Sequence, residues 1–359
     1  YGLMNTSNKT IENPILWSSE KPYLYRLLVN LYDDSNNIKE TTCIRFGIRD
    51  IELKLLSNNK YQFTINDKPI LIKGVNRHEF DSVQGSAINK DLIINELMLM
   101  KQNNINAIRT SHYPNNVITY QVADEIGLYI MDETNIEAHY GAVSDKIPSG
   151  YKAWIPSVLD RMINMVERDK NYTSIIMWSL GNESTYNEYP PLDDNYSMYA
   201  GSSWILKRDP SRLRTYERDN RNGKTREDSM VDVFSSQYYS IDQIKKHLKS
   251  NDKLPYIQSE YAHSMGNALG NLKEYWDLFR TNETAQGGFI WDFKDQAILM
   301  PISLNDPFTN NITMFYGYGG DFGERVSDLE FSGNGLLFAD GSPSAKLVEV
   351  NKVYQSINF

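Results

Sequence analysis

The spacing of apolar positions changes near residue 60. Before it, residues 23–32 (YLYRLLVNLY) and 40–51 (ETTCIRFGIRDI) are rich in β-branched and aromatic side chains and flank the turn cluster Asp33-Asp34-Ser35-Asn36-Asn37, a pattern that predicts two strands. Two strands alone are marginal in water, so this pair reads as the tail of a β-sandwich whose earlier strands precede residue 1. Beyond residue 60, short apolar runs alternate with helical stripes. The turn residues 66–69 (NDKP) lead into an extended run over 70–80. Residues 89–103 carry Ile93, Leu97 and Met100 on one helical face. Residues 105–112 and 128–137 read as extended, and between them 117–126 reads as a helix that stops at Gly127. A further helix over 157–169 has Ser157 as its N-cap and a stripe of Val158, Met162, Met165 and Val166. More strands are predicted over 174–180, 213–217, 231–236, 256–260 and 287–292, with a helix over 271–280 carrying Leu272, Tyr275, Trp276 and Phe279. Repeated strand-then-helix units predict a parallel sheet, and about eight of them predict a closed (β/α)8 barrel of the α/β class.

Composition sharpens that picture. The 359 residues exceed the roughly 250 of such a barrel, which leaves one smaller piece. Lys and Arg number 37 against 46 Asp and Glu, a net charge of −9, so nucleic acid is not an expected partner. A chain that is 40% hydrophobic and 12% aromatic can bury a sizeable core and is not disordered. Cys43 is the single cysteine, which excludes an intrachain disulfide framework and a cysteine-based zinc cluster. No apolar run reaches the ~20 residues that span a bilayer, so no membrane partner is expected. Tyr1 opens in polar sequence with no signal-like segment, which leaves the compartment unknown with the cytoplasm favoured. The 6 Trp and 24 Tyr suit sugar-face stacking as well as packing.

The titratable residues follow directly after the apolar strand runs. ILIKGV precedes Asn76-Arg77-His78-Glu79, INAIRT precedes Ser111-His112-Tyr113, and LYIMDETN precedes Ile136-Glu137-Ala138-His139. SIIMWSL precedes Gly181-Asn182-Glu183, PYIQS precedes Glu260-Tyr261-Ala262-His263, and GGFIWD holds Trp291 and Asp292. In a (β/α)8 barrel the C-terminal strand ends converge on one face, so these residues share a cleft. Glu183 and Glu260 stand out, because a carboxylate ending an apolar strand is costly unless it meets a cation or does chemistry. One such residue alone is more often half of an ion pair. Two in one cleft favour a carboxylate pair about 5–5.5 Å apart, as in retaining glycosidases. Glu137 and His139, two positions apart on an extended segment, face the same side and could hold a divalent cation or form an ordinary ion pair. Trp291 could stack on a sugar or simply pack in the core.

These same strings carry a resemblance. NRHEF (76–80), NNINAIRTSHYPN (103–115), GLYIMDETNIEAH (127–139), RDKNYTSIIMWSLGNES (168–184), SEYAHSMGNALG (259–270), GGFIWDFKDQ (287–296), YGGDFGE (318–324) and FSGNGLLFAD (331–340) closely resemble β-galactosidases of glycoside hydrolase family 2, over nearly the whole chain. The resemblance implies a (β/α)8 TIM barrel over 51–342, preceded at 1–50 by the last strands of an incomplete immunoglobulin-like sandwich. Residues 343–359 would be the last barrel helix and the start of a linker to C-terminal domains. It implies Glu183 as acid/base, Glu260 as nucleophile, and Tyr238 as the hydrogen-bond partner of the nucleophile, with the adjacent Tyr239 a register away. Glu137, His139 and Glu183 would bind Mg²⁺. His78, His112, Asn182, His263 and Trp291 would line the galactose subsite, and Phe331, through its carbonyl, and Asn334 would bind Na⁺.

One departure is Tyr172, where the family has His. The family proteins are about three times longer, so this chain is expected to lack an N-terminal sugar-binding domain that would complete the Na⁺ site, and the C-terminal domains. The implied reaction is hydrolysis of terminal β-D-galactosides such as lactose through a covalent intermediate, by a homo-oligomer when full length. β-Glucuronidase or β-mannosidase specificity, and a truncated, inactive carbohydrate-binding barrel, are the alternatives.

Overall fold

The computed structural model describes residues 10–138, 152–184, 197–217, 226–267, 269–301 and 314–357. Strands β1 (Tyr25–Tyr32) and β2 (Ile38–Phe46) pair antiparallel, across a turn in which Asp33 Oδ1 accepts the Ser35 and Asn37 amides. Leu27, Leu28, Leu31 and Ile38 of this hairpin are exposed. The chain then joins the next layer through fixed contacts. The Gly47 amide donates to Thr173 Oγ1 (2.7 Å), Arg49 donates to the Thr173 and Ile175 carbonyls (2.6 Å each), and Trp17 Nε1 donates to the Asp124 carbonyl (2.8 Å).

A small antiparallel sheet follows, made of β3 (Ile51–Leu55), β4 (Tyr61–Ile65) and β5 (Lys68–Pro69). Its central strand lies against the starts of the last barrel strands: the Phe63 amide donates to Gln286 Oε1, and the Tyr61 amide to the Lys253 carbonyl. Phe63 and Ile65 join the buried cluster of Ile72, Ala107, Met131, Met177, Leu213, Val233, Ile257 and Phe289. The residues they join lie on the barrel strands or, for Val233, directly before one, so the cluster is the packed interior of the barrel.

The barrel strands are β6 (Ile72–Asn76), β7 (Ala107–Arg109), β8 (Tyr129–Glu133), β9 (Ile175–Ser179), β10 (Leu213–Thr215), β11 (Phe234–Gln237), β12 (Tyr256–Tyr261) and β13 (Ala285–Ile290). They form one eight-stranded sheet in the order β10-β9-β8-β7-β6-β13-β12-β11, with every pairing parallel. A parallel bridge between Thr215 and Val233 joins the two outer strands, so the sheet closes on itself. At the β13–β6 seam Gly287 has φ +92°, and a Cβ there would sit 2.2 Å from the Ile72 carbonyl oxygen, so only glycine fits.

Around the strands lie α1 (Lys90–Gln102), α2 (Val117–Ile126), α3 (Ile155–Asp169), α4 (Ser197–Arg208), α5 (Ile241–Leu248), α6 (Leu272–Thr281) and α7 (Ala345–Tyr354). An antiparallel pair of strands, β14 (Ile298–Pro301) and β15 (Met314–Gly317), follows the last barrel strand. The predicted apolar stripes are the buried ones: Ile93, Leu97 and Met100 on α1, Val158, Met162, Met165 and Val166 on α3, and Leu272, Tyr275, Trp276 and Phe279 on α6. Ser157 is not an N-cap. Helix α3 begins two residues earlier, because Pro156 sits in its first turn, where the missing N–H costs nothing. Strands β6 to β11 are also shorter than their predicted runs, while β12 is one residue longer and β13 begins two residues earlier than predicted.

Candidate active site

The polar residues that follow the strands meet at the C-terminal mouth of the barrel. Arg109, the last residue of β7, is the hub and is fully buried. Its Nε donates to Glu133 Oε2 (2.7 Å), one terminal nitrogen to Asn76 Oδ1 (2.9 Å) and Glu260 Oε1 (2.8 Å), and the other to Asn182 Oδ1 (2.6 Å). Burial alone would lower its pKa, but the charges of Glu133 and Glu260 outweigh that and raise it, so the guanidinium stays charged. Glu260, on β12 and 3% exposed, also accepts from Gln237 Nε2 on Oε1 (2.8 Å) and from the Tyr238 hydroxyl on Oε2 (2.8 Å). Loss of hydration and the Glu260 charge raise the Tyr238 pKa, which keeps it a donor.

Glu183 follows β9 and is buried. Its amide donates to Glu217 Oε1 (2.6 Å), and loss of hydration lifts the Glu217 carboxyl to about 8. The segment bearing Glu137 runs alongside: Glu137 bridges to Asn182 through the backbone, and Asn182 Nδ2 donates to Glu137 Oε2 (2.5 Å). Glu137 and Glu183 thereby come onto neighbouring segments. Most non-glycine residues with positive φ here are Asn or Asp in turns. Glu183 (φ 42°), Tyr238 (φ 53°), Ala262 (φ 49°) and Leu329 (φ 51°) are not, and the first three stand at the mouth; each such residue stores about 1–3 kcal/mol of strain.

An aromatic wall borders the carboxylates. The His112 ring stacks on Trp291 at 5.2 Å between centroids, and His78 meets both rings edge-on at 5.6 Å. Burial lowers the His78 pKa to about 3, helped by the nearby His112 and Arg109 charges, so this ring is neutral. His112 differs: burial opposes its charge, but the hydrogen bond from Nδ1 to Glu133 Oε1 (2.7 Å) and that carboxylate's charge raise its pKa. His263 lies between Tyr238 (6.0 Å) and Phe331 (5.3 Å). Beyond it, Asn334 Nδ2 donates to the Phe331 carbonyl (2.7 Å), and Ser264 Oγ donates to the Asn334 carbonyl.

The structure thus brings His78, His112, Glu137, Asn182, Glu183, Tyr238, Glu260, His263, Trp291, Phe331 and Asn334 to one mouth. Tyr238, not Tyr239, reaches Glu260. His139 lies outside the described residues. Tyr172 stacks on Tyr120, a partner of Asp132 below the mouth. Sequence reasoning missed Arg109, Glu133, Glu217 and Gln237. The signal was present, because each ends or directly follows an apolar strand run.

Residues 57–359 match the family described as "Glycosyl hydrolases family 2, TIM barrel domain", and residues 2–49 match "Glycosyl hydrolases family 2". The chain belongs to glycoside hydrolase family 2. Among curated relatives, a β-galactosidase of Priestia megaterium is 42% identical over 357 residues, covering 97% of this chain and 32% of that protein. One from Halalkalibacterium halodurans is 42% identical over 361 residues, covering 99% and 33%. One from Clostridium acetobutylicum is 40% identical over 357 residues, covering 97% and 37%. The chain therefore spans about a third of the length of these relatives. Among solved structures, the β-D-glucuronidase of Dictyoglomus thermophilum superposes with a TM-score of 0.72 at 21% identity, covering 97% of this chain and 60% of that one. The family 2 β-galacturonidase of Eisenbergiella tayi, bound to galacturonate, gives 0.71 at 19% identity, covering 98% and 62%. At those identities the likeness establishes the barrel and nothing finer.

Proposed function

We propose that the protein containing this chain is a retaining β-galactosidase that removes terminal, non-reducing β-D-galactosyl units, lactose among its substrates. The observation that carries the reading is the Glu260 carboxylate, buried at a strand end and held on both oxygens by Arg109, Gln237 and Tyr238, with Glu183 buried at the same mouth. In the first step Glu260 attacks the anomeric carbon as the bond to the aglycone oxygen breaks, and Glu183 protonates that oxygen. In the second step a water oxygen attacks the same carbon, Glu183 takes the water's proton, and the bond to Glu260 breaks, releasing galactose of retained configuration. His78, His112, Asn182, His263 and Trp291 line the galactosyl subsite. His263 Nε2 and Trp291 Nε1 are buried with no hydrogen-bond partner among the described residues. Buried polar atoms of that kind are costly, and sugar hydroxyls would satisfy them.

Galactosyl specificity is supported by relatives at 40–42% identity that are named β-galactosidases. The test is a panel of nitrophenyl glycosides with the full-length protein. The β-galactoside is expected to turn over fastest, and Glu260→Gln to abolish that turnover; faster cleavage of the β-glucuronide or β-mannoside overturns the assignment.

Among the described residues no group of three or more His, Cys, Asp and Glu is arranged to hold a metal ion. The neighbouring carboxylates Glu137 and Glu183 nonetheless suit a hard cation such as Mg²⁺, with His139 as the third ligand. Bound there, the ion would supply positive charge beside Glu183. For Na⁺, Asn334 Oδ1 is buried with no hydrogen-bond partner among the described residues, and the Phe331 carbonyl keeps a lone pair beyond the one facing Asn334. Both oxygens fit an alkali cation.

A further inference from the structure

Gln237 ends β11, where the pairing with β12 slips by one residue and sets Gln237 opposite Glu260. The orientation of its amide follows from chemistry alone. Arginine only donates, so the Asn182 atom 2.6 Å from Arg109 is the oxygen. Gln237 meets that same oxygen at 2.9 Å and therefore presents its nitrogen. The second hydrogen on that nitrogen points to Glu260 Oε1 at 2.8 Å. Arg109 spans the same two acceptors from the other side. The result is a closed ring of two donors, Arg109 and Gln237, and two acceptors, Asn182 and Glu260. Within it, the Asn182 amine is forced outward, toward His112 (3.4 Å) and Glu137.

We propose that Gln237 is a positioning residue of the glycosidase reaction, whose single amide group holds Glu260 and Asn182 together and acts mainly on release of the covalent intermediate. This rests on the retaining mechanism proposed above. In that second step the water oxygen bonds to the anomeric carbon, its proton passes to Glu183, and the electron pair of the breaking bond returns to Glu260. A hydrogen bond to an ionised carboxylate is stronger than one to a neutral ester, so Gln237 stabilises Glu260 as it departs. The same bond stabilises the carboxylate before it attacks, which opposes the first step. Removing the donor should therefore split the two steps, whereas loosening the fold would slow both.

The experiment uses the full-length protein and an activated 2-deoxy-2-fluoro-β-galactoside, which accumulates the intermediate. Inactivation reports the first step, and reactivation after removal of the reagent reports the second. Q237M fills the site without a donor. It is expected to slow reactivation roughly tenfold to a hundredfold, the worth of one hydrogen bond to a charged group, while inactivation is no slower than wild type. Q237E keeps the amide's shape but sets a carboxylate against Glu260, and is expected to slow reactivation at least as much at neutral pH. Both rate constants falling together, or neither changing, in whichever variant folds, overturns the proposal. Wild-type protein that forms no intermediate with the galactosyl reagent overturns the β-galactosidase reading, and the proposal with it.

Discussion

Arg109 is the cation that both Glu133 and Glu260 face inside the mouth, so its replacement leaves two buried carboxylates without their counter-charge. Removing one partner of a buried ion pair costs about 3–5 kcal/mol. Arg109→Met is accordingly expected to lose that much stability in denaturant unfolding and to be inactive. Glu133 supplies a pH test. Burial on its own would raise its pKa, but Arg109 and His112 outweigh burial and hold it at about 2, against an ordinary 4.5. A folded pKa below the unfolded one means that the unfolded chain binds the proton more tightly. The stabilisation is therefore complete above pH 4.5 and drains away as pH falls toward 2. Glu133→Gln should flatten the fall in unfolding midpoint across that window; an unchanged slope would contradict the pairing. Glu183 and Glu260 were legible in the sequence because a carboxylate ending an apolar strand is conspicuous. Arg109 and Gln237 also stand at strand ends, but their role is not visible there, because their partners come from β6, β8, β12 and the loop after β9, and only the closed ring of strands makes them neighbours.

At the scale of elements, amphipathic helices with clean caps were read almost to the residue. Asn89 caps α1 by accepting the Leu92 amide, and α2 ends at Gly127 in the left-handed region. Helices α4 and α5 escaped notice for different reasons. The α4 segment contains Gly201, Ser202 and Ser203, which favour helix poorly. Gly201 is there for packing, since a Cβ would lie 2.1 Å from Met162 Sδ on α3. The α5 signal was present but passed over: Ser240 and Gln243 form a complete capping box. Ser240→Ala is expected to cost about 1 kcal/mol without changing turnover, measured as a shift in unfolding midpoint beside nitrophenyl galactoside kinetics. No loss of stability would mean that the cap contributes nothing to α5.

For the whole molecule, strand-helix alternation gave a barrel, but its closure is not a property of any segment. Among the described residues the last two strands to meet, β10 and β11, share no ladder and are joined by the Thr215–Val233 bridge and by hydrogen bonds between Arg214 and residues 232–233 just before β11. That seam shows in the sequence only as two apolar runs. The closed ring is what turns residues scattered from 76 to 334 into one mouth, so the central claim concerns two carboxylates brought together by the whole fold. Azide rescue of the full-length protein tests it most directly. With Glu260→Gly and an activated aryl β-galactoside, azide takes the nucleophile's position and should restore turnover as α-galactosyl azide. With Glu183→Ala, it attacks the intermediate from the other face and should give β-galactosyl azide. The opposite pairing of variant and anomer, or no rescue of either, would contradict Glu260 as nucleophile and Glu183 as acid/base.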